Sequence, residues 1–271
     1  MSKKAFVCFC VDGQSDIDAL REPFSDLFDY IGGTDINVEF RLGQFNQKER
    51  KNKGGDLTSQ IGVHPENVEQ QLYKYYFRLQ DKGSGLGWSD LTHIIHIIDL
   101  DGAFIDEQHI ELFTDQEKEY VERLSSQHDE GKTTLYYDTH IAARDDRQHV
   151  IQRNERKKRI IEKLLTLDRI TIGRKVVKYS IYYFSSNIDH LLYGDANLGR
   201  IDKIVNASRF SDEHYTWQDL ADFFDQCPYC SKLDYETSWN EVKKRNHSLL
   251  RGTNVNLLFN RILHSDLEDW L

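Results

Sequence analysis

Apolar positions along the chain fall into two alternating patterns. "KAFVCFCVD", residues 4 to 12, is a nearly continuous run of β-favouring residues that stops at Asp12-Gly13, as a buried strand would. "SDIDALREPFSDLFDYIGG" follows, with Ser15 and Asp16 as caps, apolar residues at helical spacing and a Gly32-Gly33 stop. "INVEFRL" at 36 to 42 reads as a second strand, "QFNQKERKNKGGDLTSQIGVHP" as a polar loop, and "ENVEQQLYKYYFRLQDK" at 66 to 82 as a helix. "LTHIIHIIDLDGAF" is a third strand, too evenly apolar to face water on one side. "EKEYVERLSSQ" predicts a helix and "TTLYYDT" a strand. Residues 144 to 165 predict a basic helix with an apolar face of Val150, Ile151, Ile160, Ile161, Leu164 and Leu165. "KVVKYSIYYFSS" at 175 to 186 predicts a strong strand leading into the helical "IDHLLYG". From about residue 195 the texture turns helical without a linker: "TWQDLADFFDQC", "YETSWNEVKKRNHSLL" and "NVNLLFNRILHSDLEDWL". Strands alternating with helices predict an α/β fold, a mainly parallel sheet flanked by helices. Residues 1–194 form this unit, and 195–271 a helical portion packed on it.

Two of the strands end in acidic, glycine-containing turns: "VDGQSD" after the first and "DLDG" after the third. In parallel sheets functional groups gather beyond the carboxyl ends of the strands. Parallel neighbours would bring Asp12, Asp99 and Asp101 together there, and alternation would set Asp99 and Asp101 on one side of their strand. Three converging carboxylates repel unless a cation or shared protons compensate. Hard oxygen donors suit Mg²⁺ or Mn²⁺. Asp-Gly is also an ordinary turn signal, so Gly13 and Gly102 have a structural reading of their own.

Composition narrows the function. The 271 residues carry a net charge of −10, which argues against coating nucleic acid by bulk electrostatics and leaves a local basic surface as the means of contact. The richest such stretch is the helix with Arg153, Arg156, Lys157, Lys158 and Arg159, whose alternative is a solvated charged face. No run approaches the roughly 20 apolar residues of a membrane span, and the first residues lack a secretory pattern, so the expectation is a cytoplasmic protein without membrane contact. The four cysteines, in "CFC" and "CPYC", are then expected as thiols rather than a disulfide framework. Cys227 and Cys230 have the spacing of a redox pair or half a zinc site, with Cys8 and Cys10 or His214 and His247 as zinc partners, but the favoured reading is structural, Pro228 ending a helix and the thiols serving as small buried apolar groups. Their position after a helix, late in the chain, argues against a thioredoxin-like motif. His93 and His96 lie on opposite faces of their strand and read as core or edge histidines. His140 and His190 are better placed for a polar pocket. The aromatic run 73–77 reads as core rather than a stacking platform, and "GSGLG" at 83 to 87 lacks the lysine and Ser/Thr of a P-loop.

"FVCFCVDGQSDIDAL" and "HIIHIIDLDGAF" resemble the two acidic motifs of the Toprim fold, as found in topoisomerases, primases, OLD-type nucleases and the RloB-like and abortive-infection proteins of bacterial phage defence. "YSIYYFSSNIDHLLYG" is similar to a third feature of the RloB-like branch, a strand running into a Ser-Asn turn and an acidic helix. The resemblance continues more weakly through "QRNERKK" and "SWNEVKKRNHSLLRGTN". It implies a Mg²⁺- or Mn²⁺-dependent nuclease acting on DNA or RNA in anti-phage defence. Asp12 would stand in for the family's general acid/base glutamate, and Asp99 and Asp101, with Asp16, would be metal ligands. Asn187, Asp189 and His190 would line the pocket with Gly13 and Gly102, and the basic helix would hold the nucleic-acid backbone. Asp12 is one methylene shorter than glutamate. A protein that keeps the fold but works as a sensor or assembly subunit, through a protein partner from a defence system, is the alternative.

Overall fold

The computed structural model describes residues 5–32, 35–42, 44–46, 51–53, 57–60, 62–77, 90–125 and 132–271, with backbone only at 44–46, 51–53, 73–77 and 125. In chain order the elements are Ala5–Val11 (β1), Gln14–Gly32 (α1), Ile36–Leu42 (β2), Gln44–Asn46 (β3), Lys51–Lys53 (β4), Val68–Phe77 (α2), Leu91–Asp99 (β5), Ile110–Leu112 (β6) and Asp115–Ser125 (α3). There follow Thr134–Tyr136 (β7), Ile141–Ala143 (β8), Arg147–Leu164 (α4), Arg169–Ile172 (β9), Lys175–Phe184 (β10), Ile188–Tyr193 (α5), Arg200–Glu213 (α6), Trp217–Gln226 (α7), Tyr235–Val242 (α8) and Val255–Leu263 (α9). The chain is an α/β protein.

Five strands form the main sheet in the order β2-β1-β5-β10-β9, parallel except for the β9 edge. Both faces are covered, and strand alternation sorts side chains between them. Val7, Phe9, Ile95, Ile97, Tyr182 and Phe184 point to the layer that holds Phe24 and Phe28 of α1, Leu220 and Phe224 of α7, and Phe259 and Ile262 of α9. Phe9 stacks on Phe40 at 4.4 Å, and Phe28 meets Trp270 edge-on at 4.9 Å. Phe6, Cys8, Cys10, Ile94, Ile98, Ile181 and Tyr183 point to the other layer, with Leu72 of α2, Ile160, Ile161 and Leu164 of α4, and Trp239 of α8. Helices beyond residue 195 thus share the cores of the sheet rather than building one of their own.

The sequence pattern differs from the structure in three places. The expected loop after β2 contains an antiparallel β3–β4 hairpin. Between β5 and α4 the expected "TTLYYDT" strand, β7, belongs to a second sheet, β6-β8-β7, whose strands β6 and β8 the pattern did not show. Helix α6 occupies residues that carried no distinct signal. The end of the helix expected at 66 to 82 and the "GSGLG" at 83 to 87 lie outside the described residues. No helix among those described is long and apolar enough to cross a membrane.

Candidate functional site

Because β1, β5 and β10 are adjacent and parallel, their carboxyl ends meet at one edge of the sheet. Asp12 follows β1, Asp99 ends β5 opposite Phe184, and Ser185 to Asp189 follow β10. The Asp12 carboxylate accepts the Asp99 backbone N–H at 3.4 Å, tying the first two turns together. One turn into α1, the buried Asp16 accepts the Gly13 N–H at 2.8 Å, which is half of a capping box. Asp189, also buried, lies 2.7 Å from the Lys203 ammonium of α6. Lys203 was not legible from the sequence, since α6 itself was not.

Burial sets the electrostatics of this group. It raises the Asp16 carboxyl to about 7, with the Gly13 N–H and Lys203 pulling down and Asp189 adding to the rise. Burial likewise lifts Asp99 well above the usual carboxylate range, and Asp16 and Asp101 push it further, against Lys203 and Lys157. Desolvation disfavours the Lys203 ammonium, but Asp189, Asp99 and Asp16 outweigh it and hold the lysine charged above its ordinary value.

Asp101 does not follow the alternation expected of it. The strand ends at Asp99, and Asp101 takes a left-handed backbone, φ 51°, followed by Gly102 at φ 69°. That turn swings the carboxylate away from the α1 layer and onto α4, where Lys157, with no exposed side-chain surface, meets it at 2.9 Å. The next contacts come from the same helix face. Asn154 donates to the Gly102 carbonyl at 3.0 Å and Arg153 to the Asp101 carbonyl at 3.4 Å. A side chain at Gly102 would be strained by the left-handed backbone and would have to displace the tips of Leu249 and Ile141, which a Cβ would approach to 2.7 and 2.8 Å.

The basic helix therefore does not present five cations as one solvent-facing stripe. Lys157 is buried in its ion pair, Arg153 also bonds Asn154 and Tyr136, and Arg156 donates to the Ser59 carbonyl at 3.2 Å. Lys158 and Arg159 are the exposed pair. Asn187 is likewise engaged in the fold. Its Oδ1 caps α5 at the His190 N–H, 2.9 Å, and its Nδ2 donates to the Ala196 carbonyl at 2.9 Å. His190 turns its Nε2 toward Asp138 at 3.5 Å, and burial lowers its pKa against the pull of Asp138. His140 stacks on Tyr137 and bonds Thr139. Neither histidine has a carboxylate of the Asp12, Asp16, Asp99 and Asp189 group as a partner in these contacts.

His93 and His96 occupy opposite faces, against Trp270 and hydrogen-bonded to Tyr179 respectively. The zinc reading of Cys227 and Cys230 finds no partners. His214 bonds the Phe210 carbonyl and His247 the Glu241 carbonyl, and no group of three metal-ligating side chains occurs among the described residues.

That last statement applies to the acidic edge as well: as positioned, no three carboxylates there enclose one ion. In chemistry they suit a hard divalent cation. The donors are all oxygens, their charge is only partly balanced by Lys203 and Lys157, and the buried Asp99 Oδ1 receives no hydrogen bond among the described residues. Asp99 with Asp12, Asp16 and Asp189 would hold such an ion on the α1 side. Comparison with protein families, with curated proteins and with solved structures finds no match to this chain.

Proposed function

We propose that this protein is a divalent-metal-dependent phosphodiesterase of Toprim type that cuts DNA or RNA, in bacterial defence against phage. The observation that supports it is the meeting of Asp12, Asp16, Asp99 and Asp189 at the shared carboxyl edge of three adjacent parallel strands, with Lys203 among them. Asp99, Asp16 and Asp189 would hold Mg²⁺ or Mn²⁺ after a rearrangement that draws them round one ion, and the ion would supply charge stabilisation at a phosphate and a more acidic water. Asp12, half-buried and reaching the Asp99 backbone, is placed to accept a proton from the attacking water. Lys203 offers positive charge to an incoming phosphate once its hold on Asp189 is shared. Lys158 and Arg159, exposed on α4 in the other layer of the sheet, would give a nucleic-acid backbone a separate positive surface.

The test is incubation with supercoiled plasmid, single-stranded DNA and total tRNA, with Mg²⁺, Mn²⁺ or chelator, beside an Asp99→Asn variant. Metal-dependent cleavage that disappears in the variant is the expected result. A folded protein that neither cuts nor binds either metal by calorimetry sinks this reading. The second reading, a Toprim-like sensor or assembly subunit acting through a protein partner, would then stand. The capture of Asp101 by Lys157 is the specific observation in its favour.

A further inference from the structure

Cys227 ends helix α7 and Cys230 lies one turn on, closed by a Cys230 N–H to Cys227 carbonyl bond of 3.3 Å. The two thiols are close enough to influence one another's ionisation. Their exposures differ. Cys230 is 7% exposed and packs in the α1-side core, bridged through its backbone to Thr253. Cys227 is half-buried and lines a cavity of about 430 Å³ whose charged groups are Glu213, Asp219, Asp222 and Arg251. The Arg251 guanidinium lies 4.1 Å over the Tyr229 ring and is anchored on the Leu191 carbonyl at 2.7 Å, so a fixed cation stands in the same cavity.

A thiolate at a helix C-terminus meets the unfavourable end of the helix dipole. Here local donors reverse that. The neighbouring Cys230 thiol first, then the backbone of the turn and Arg251, pull the Cys227 thiol below its ordinary value, while Cys227 and burial push Cys230 up. One sulfur thus opens on a cavity, and its neighbour, three residues on in the same hydrogen-bonded turn, is sheltered, which is the division of labour that thiol–disulfide exchange requires.

We propose that Cys227 and Cys230 form a redox-active dithiol whose substrate is a low-molecular-weight disulfide entering the Arg251 cavity. The Cys227 thiolate attacks one sulfur of R–S–S–R, forming Cys227–S–S–R and expelling RS⁻. Cys230 then gives up its proton and attacks the Cys227 sulfur, closing the Cys227–Cys230 bond and expelling the second RS⁻. Two protein thiols are oxidised, one disulfide is reduced to two RSH, and the two protons lost by the cysteines are taken up by the two leaving thiolates. Arg251 on one side and Glu213, Asp219 and Asp222 on the other suit a disulfide that carries both carboxylate and ammonium groups, such as oxidised glutathione. Sheltered in β1, Cys8 and Cys10 are at most 1% exposed and act as internal standards that stay reduced. None of this depends on the phosphodiesterase reading.

The test equilibrates the full-length protein with graded ratios of oxidised to reduced glutathione, quenches with acid, alkylates under denaturing conditions and locates each cysteine's state by peptide mass spectrometry. Expected is an intramolecular Cys227–Cys230 disulfide in the wild type, a glutathione adduct retained on Cys227 in Cys230→Ser, and none retained on Cys230 in Cys227→Ser. A wild type whose Cys227 and Cys230 remain alkylatable at every ratio, as Cys8 and Cys10 do, overturns the proposal. So does an adduct on Cys230 in preference to Cys227. The wild-type titration requires no variant to fold.

Discussion

Lys157 is buried without any exposed side-chain surface, and its partner Asp101 is 24% exposed on its side chain, so the pair lies at the boundary between interior and water. Removing one member of a buried pair leaves the other charge uncompensated, which costs roughly 3–5 kcal/mol; solvent access at Asp101 sets the expectation at the lower end of that range. Lys157→Met should therefore lower the stability measured by urea unfolding by about 3 kcal/mol, and adding Asp101→Asn should return most of the loss. An unchanged midpoint in Lys157→Met would show that the pair contributes nothing to the fold. At this scale the sequence was legible where a residue's neighbours along the chain set its role. Asp12 and Asp99 end buried strands, and both turns read correctly. Lys157 was misread as a nucleic-acid contact because its partner lies across the fold at Asp101. The left-handed turn that carries Asp101 there breaks the alternation on which its placement had been argued.

Helix α4 is the element where the two roles of positive charge separate. Its inward face, Arg153, Asn154 and Lys157, grips the Asp101-Gly102 turn, while Lys158 and Arg159 face solvent. If the helix also tracks a nucleic-acid backbone, the double variant Lys158→Glu/Arg159→Glu should weaken binding to all sequences alike and flatten the dependence of affinity on salt by about one unit of slope per lost phosphate contact. Fluorescence anisotropy with a labelled oligonucleotide across a salt series, in chelator, reads this directly, and an unaltered slope would remove α4 from the interface. The long elements β1, α1, β5, α4 and β10 were readable because each sustains its period over several turns or residue pairs. Strand β7 falls within the expected "TTLYYDT" strand, but β6 and β8, only three residues each, are too short for any period to develop and exist because they pair. Helix α6 was hidden for a different reason: Ile201, Ile204 and Val205 are more than half exposed, so its apolar positions do not mark its buried face.

Across the whole molecule the acidic edge opposes the stability of the fold that builds it. The sheet cores force carboxylates into a buried position, and the ionised forms of Asp16 and Asp99 are the ones that burial disfavours. The direction of the resulting pH dependence follows from Asp16, whose carboxyl moves from an ordinary 3.8 to about 7 on folding. Below the ordinary value both folded and unfolded chains hold the proton, and Asp16 costs nothing. Between the two values the folded chain keeps its proton while the unfolded chain releases it, so this contribution to stability is lost steadily as pH rises toward about 7. In chelator, the stability difference between Asp16→Asn and the wild type should therefore grow in favour of the variant from acid to neutral pH and level off above the folded value. The asparagine carbonyl can still accept the Gly13 N–H, so the cap is preserved and the charge alone is removed. Saturating Mn²⁺ should then reverse the order at neutral pH, because a cation bound to the ionised carboxylates stabilises the wild type in proportion to its occupancy and has less to hold in the variant. A pH-independent difference in chelator would mean that Asp16 is already ionised in the folded protein. A pH-dependent difference unmoved by Mn²⁺ would mean that protons and Lys203, rather than a metal, balance the charge of this edge.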